Sequence, residues 1–142
     1  MAAEPARANG AAPLSRRLMS LFYEACLLAA VLWLATVPFA FIETELTVRH
    51  VRPLYQAYLA LVAGVYFTWQ WTRAGQTLAM KTWRLKLETR SCGALTPLQA
   101  VLRYALALAG LAAFGIGFLW AFFDRDGLFL HDRLAGTRIA HV

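Results

Sequence analysis

Three long apolar runs, separated by charged segments, set the pattern of this chain. The first is Leu18 to Ile42, which carries one charge, Glu24, and a late Pro38. The second is Leu54 to Trp71, with no charge. The third follows Thr96-Pro97-Leu98-Gln99 and extends to Phe123, interrupted by Arg103 alone. A helix rises about 1.5 Å per residue, so about 20 residues cross the ~30 Å hydrocarbon core. Each run is long enough. The pattern predicts an all-α integral membrane protein, a bundle of three transmembrane helices over about 18–41, 54–72 and 98–123.

The polar segments carry their own signals. Residues 1–14 are rich in Ala and Pro without an apolar face and read as a disordered tail, leaving 15–142 as the membrane domain. Glu43 to Pro53 is a polar link, and Pro53 suits the first turn of the next helix. Trp83, Leu85 and Leu87 alternate with Arg84, Lys86 and Glu88, a period of two that predicts a short strand. Ser91-Cys92-Gly93 reads as the turn that ends it, and Thr137 to Val142 as a second short strand. Thr96 with Gln99 forms a capping box, and Pro97 fits the first helical position.

Two points stay open in this pattern. The basic start before Leu18 fits a signal peptide, but the run is longer than a usual signal core, holds an acid and lacks a small-residue cleavage site. A retained span is expected. The third run would make a helix of roughly 40 Å, longer than the bilayer core. Either its first two turns lie in the interface before Tyr104 to Phe123 crosses, or Gly110, Gly115 and Gly117 permit a bend or a re-entrant hairpin.

Composition strengthens the membrane reading. Hydrophobic residues make up 60% of the chain and charged residues 15%. A soluble domain has nearer 45–50% and about 25%. The net charge of +6 would suggest nucleic acid in a soluble protein, but here the basic residues flank apolar runs. They serve topology and attraction to anionic lipid instead. Nucleic acid is not an expected partner. Cys26 sits in an apolar run and Cys92 in a loop, so neither a disulfide nor a zinc motif is expected. No metal or cofactor is called for.

Charge also orients the chain. Arg7, Arg16 and Arg17 precede the first run, and Arg73, Lys81, Arg84, Lys86 and Arg90 fill the middle loop. The first link holds only Arg49 and Arg52. Basic loops stay cytoplasmic, so the N-terminus and middle loop belong inside. Three crossings would put the C-terminus outside. If the two strands pair, both lie on one side and the last run must turn back.

Small residues mark helix contacts in lipid, because close backbone approach drives association there. Ala105, Ala109, Ala113, Gly117 and Ala121 recur at every fourth position, as do Ala60, Gly64, Thr68 and Thr72. These stripes are expected to face each other or the first span.

Arg17 opens the first span, and Glu24 lies seven residues later on the same helix face. An ionised group within a span is expensive, so it faces the bundle interior or finds a donor. Two roles fit Glu24: a polar clamp between helices, or a proton or cation site.

Here the chain resembles the RDD family of bacterial membrane proteins, which is named for an Arg at the start of its first span, an Asp within that span and a later Asp. The matching positions are Arg17, Glu24 and Asp132, with Glu in place of the first Asp. Gly75-Gln76-Thr77-Leu78-Ala79-Met80-Lys81 resembles the family's Gly-x-Thr-x-Gly-Lys stretch, with Ala79 and Met80 where a Gly is usual. His131-Asp132-Arg133-Leu134-Ala135-Gly136-Thr137 resembles its closing segment. Asp132 there suits a structural latch, bonded at a turn or paired with Arg133, Arg138, Arg73 or Lys81. Gly136 suits a positive φ or a close approach.

The resemblance implies a multi-pass protein of the bacterial inner membrane, of a family whose molecular role is undefined; a structural or accessory role is the first reading here, with the bilayer as first partner. A homo-oligomer or other membrane proteins are further partners. The alternative it implies is a small cation–proton exchanger, acting as a homo-oligomer through Glu24. No nucleophile is placed beside His131-Asp132, so an enzyme is not expected.

Overall fold

The computed structural model describes residues 12–41 and 47–142. Helix α1 (Leu14–Thr36) runs on as a 3-10 turn, Val37–Phe41. Helix α2 (Thr47–Ala74) returns beside it. Then come α3 (Leu78–Thr82), β1 (Leu85–Thr89), α4 (Pro97–Ala112), α5 (Ile116–Leu119), α6 (Leu130–Ala135) and β2 (Thr137–His141). Among the described residues, Leu14–Phe41 is the one unbroken helix long and apolar enough to cross a membrane. Tyr, Trp, Gln and Thr dilute the apolarity of α2, which has the length alone.

Three expectations need correction. The helix expected to start at Pro53 starts at Thr47, with Pro53 inside it. The polar link supplies its first turns. Of the tail expected to be disordered, residues 1–11 lie outside the described residues. Ala12 is buried, and its N–H donates to the Ile139 carbonyl at 2.9 Å, which ties the start of α1 to β2.

The largest correction concerns the third run. It does not continue as one straight helix over 98–123. It breaks after Ala112, and the two pieces are bent by 104°. Phe114 and Gly115 both have positive φ, +61° and +75°, a conformation that ends an α-helix. Past the corner the chain doubles back so tightly that a Cβ on Gly110 would lie 3.2 Å from the Gly117 Cα. Two glycines here allow what no side chain would.

The turn back delivers the C-terminal strand to β1. The two strands pair antiparallel, with Leu87 opposite Ile139 and Glu88 opposite Arg138. Glu88 and Arg138 also pair by side chain, Nη2 to Oε1 at 2.6 Å. The inward residues Leu85 and Leu87 are fully buried and join Ile139, Phe129, Met80 and Trp71 in the core. That core sits at one end of the helices.

Candidate functional site

Among the described residues, four charged residues are buried at this end: Arg17, Glu24, Arg103 and Asp132. Each is placed by a local feature of the chain. Arg17 and Glu24 share the inner face of α1, about 10 Å apart along its axis. Arg103 projects from the second turn of α4, whose start is fixed by the Thr96–Gln99 capping box. Asp132 lies in the first turn of α6, and Gly136 ends that helix at φ +70°.

Asp132 is the centre of the arrangement, with no exposed surface. Arg103 Nε donates to its Oδ1 at 2.6 Å, and the Thr137 hydroxyl donates to the same oxygen at 3.2 Å. The Arg103 guanidinium also lies over the Trp71 ring, 4.3 Å from its centroid. One pair therefore joins α4, α6, β2 and the end of α2. Removing one partner of a buried pair strands the other charge, which makes such a contact a strong determinant of geometry.

Glu24 makes a second junction. Tyr66 donates to Oε1 at 3.0 Å, and the Thr77 hydroxyl donates to Oε2. Thr77 at the same time accepts from the Met80 N–H at 3.2 Å and so caps α3. Glu24 thus fastens α1 to α2 and to the cap of α3.

Arg17 is held differently. Its Nη2 donates to the Gly127 carbonyl, and its guanidinium lies 5.2 Å from the Phe129 ring centroid. Gly127 belongs to a turn shaped by Asp124, whose Oδ2 accepts the Leu128 N–H at 3.0 Å and the Asp126 N–H at 3.2 Å. The Leu128 N–H and then Arg133 hold the Asp124 carboxyl below its ordinary range.

His131 stacks on Phe129, with ring centroids 5.4 Å apart. Burial lowers its pKa to about 4; nearby Asp132 opposes that shift and Arg103 adds to it. The imidazole is neutral at pH 7. Its Nε2 lies 3.9 Å from Asp132 Oδ1, so this contact is not an ion pair at that pH.

The residues singled out by sequence divide into two sets. Glu24, Thr77, His131, Asp132, Gly136 and Thr137 meet around the buried charges, with Arg17 beside them. Gly75 serves by its backbone: its φ is +64°, and its carbonyl accepts the Leu87 N–H at 2.7 Å. Lys81 is exposed, outside the network.

The partner of Asp132 is none of the four basic residues expected from the sequence. Arg133 binds Asp124 and Arg138 binds Glu88, leaving Arg103 to Asp132. Arg103 carried a readable signal, since a lone charge in an apolar run seeks a partner.

The small-residue stripes do not face each other. Ala105, Ala109 and Ala113 are exposed. The α2 stripe instead receives Tyr104, whose hydroxyl donates to the Ala60 carbonyl at 2.6 Å and whose ring covers Gly64. Thr68 bonds within its own helix, to the Gly64 carbonyl. Gly117 is buried, but against Gly110 across the bend. Counting by fours through Ala113 assumed a helix that the chain does not continue.

The RDD family model matches residues 11–136, nearly the whole chain. The chain belongs to the RDD family. The matched stretch of this RDD chain takes in the opening Arg17, the acid Glu24 and the closing Asp132. No curated protein and no solved structure matches it.

Proposed function

We propose that this RDD chain is an accessory protein of the bacterial inner membrane that works by holding other membrane components, without catalysis. Its α1 and α2 cross the bilayer. Its α4–α5 corner enters and returns on the same side, and the N-terminus, β1 and β2 lie together in the cytoplasm. Arg7 ahead of α1, Arg16 and Arg17 in its first turn and the five Arg and Lys of the middle loop support that orientation.

The observation that carries the role is how the buried acids are used. Both Glu24 oxygens accept protein hydroxyls, and Asp132 is tied to Arg103 and Thr137. Each acid fastens separate elements to each other. That is the arrangement of a clamp. Among the hydrogen bonds of these two acids, both Glu24 oxygens and Asp132 Oδ1 go to protein donors.

Ion flux in proteoliposomes tests the reading against the exchanger alternative. Wild type and Glu24→Gln should both leak sodium and protons no faster than empty vesicles. The variant should instead unfold at lower temperature in mild detergent. Flux in the wild type that Glu24→Gln abolishes would overturn the accessory role.

A further inference from the structure

Between α1, α2 and α4 lies a cleft of about 510 Å³, open along one side. Helix α1 packs on α2 and α3, and α4 packs on α2 and α6, so the cleft follows the line where α1 and α4 barely touch. Its size falls within the ~300–1,000 Å³ typical of ligand sites. Its walls change character with depth. Arg17 and Glu24 line one end, and Leu28, Leu32, Leu108 and Leu111 line the other. Arg17 to Leu32 spans about 22 Å of helix, close to one leaflet with its headgroup layer.

We propose that this cleft holds an acyl chain of an anionic phospholipid from the leaflet on the N-terminal side, with the lipid phosphate on Arg17. This deepens the accessory role and rests on α1 and α2 lying in the bilayer. Of the four buried charges, Arg17 alone has unmet capacity on the donor side. It is 3% exposed and has no carboxylate within 4.0 Å among the described residues. One hydrogen bond leaves its Nη2, while Nε and Nη1 are buried without an acceptor. Unpartnered buried donors carry a desolvation penalty that a phosphate oxygen removes.

Arg17 is itself part of the cleft lining, so its unpartnered nitrogens belong to the side chain that a phosphate at this end would meet. The other charges are already engaged: Arg103 with Asp132, and Glu24 with two hydroxyls. A free anion would leave the leucine-lined end unfilled, whereas an acyl chain fills it. Arg17 also stands three residues into α1, the end of a span at which a headgroup would be met.

Native mass spectrometry of the full chain, released from nanodiscs of equal phosphatidylglycerol and phosphatidylcholine, tests this. One phosphatidylglycerol per chain should be retained, at least fivefold over phosphatidylcholine. Arg17→Gln should abolish that preference, and Arg17→Lys should keep most of it. Ala107→Phe, which fills the cleft, should lower retention of both lipids. Retention in proportion to abundance, or a preference that survives Arg17→Gln, would overturn the proposal while leaving the membrane reading intact. A chain that fails to enter the nanodisc would overturn both.

Discussion

The two ends of this molecule are built by different rules. At one end, α1, α2 and the α4–α5 corner turn large apolar side chains outward: Trp33 is 70% exposed and Phe114 95%. At the other, Leu85, Leu87, Phe129 and Asp132 are almost wholly buried, helices are capped and two strands pair. The first end leaves a large apolar area bare, the kind of surface that marks a membrane or partner contact. The second has what a small soluble core has. The contrast teaches where stability resides. In lipid the outward residues gain nothing from helix contact, so the fold depends on the buried end and its charges.

That difference can be broken most sharply at Asp132. Asp132→Ala leaves Arg103 buried without its carboxylate, a loss of about 3–5 kcal/mol. Thermal unfolding in mild detergent should register it as a large drop in midpoint. Replacing Arg103 and Asp132 together by Met and Leu should do less damage than Asp132→Ala alone, because no charge is then stranded.

The next effect belongs to the junction of the two ends. Gly117→Ala places a methyl against the Gly110 Cα, and overpacking of this kind costs about 1–3 kcal/mol. The same unfolding experiment should show a smaller shift than Asp132→Ala. An unchanged midpoint would mean that the hairpin is looser than described.

A pH series sharpens the comparison at the buried end. The unfolded His131 titrates near 6.5, but in the fold its pKa is about 4. Between those values the unfolded chain binds the extra proton. Stability is therefore complete above about pH 6.5 and falls toward pH 4, by roughly 1.4 kcal/mol per unit. His131→Phe should flatten that part of the profile, as urea unfolding at stepped pH would show. The smallest effect should come from the outward apolar side. Trp33→Ala should change stability by less than about 0.5 kcal/mol, and a larger loss would place Trp33 in an interface.

Sequence made the local features legible. The Thr96–Gln99 cap, the alternation through Leu85 and Leu87 and the αL glycine at Gly136 each depend on neighbours along the chain. The family pattern also pointed to Arg17, Glu24 and Asp132. What could not be read was which charge meets which. Arg103 and Asp132 are brought together by the bend at Phe114–Gly115 and by a turn whose shape comes from Asp124. Gly115 was visible as a place to bend, yet nothing local decided between bending and crossing. That choice is made by the β1–β2 pairing, a long-range contact. The Ala105–Ala109–Ala113 stripe misled for the same reason, because its period ran through the break.

The most direct test is the side of the membrane on which each strand lies. Cys92 beside β1, in a Cys26→Ser protein, and a cysteine introduced by Val142→Cys after β2, in a protein that carries Cys26→Ser and Cys92→Ser, can each be labelled with an impermeant maleimide in sealed vesicles of known orientation. Both should react from the same face, the one bearing the N-terminus. Labelling from opposite faces would mean that the last apolar run crosses after all, and would contradict the paired strands and the buried Arg103–Asp132 contact together.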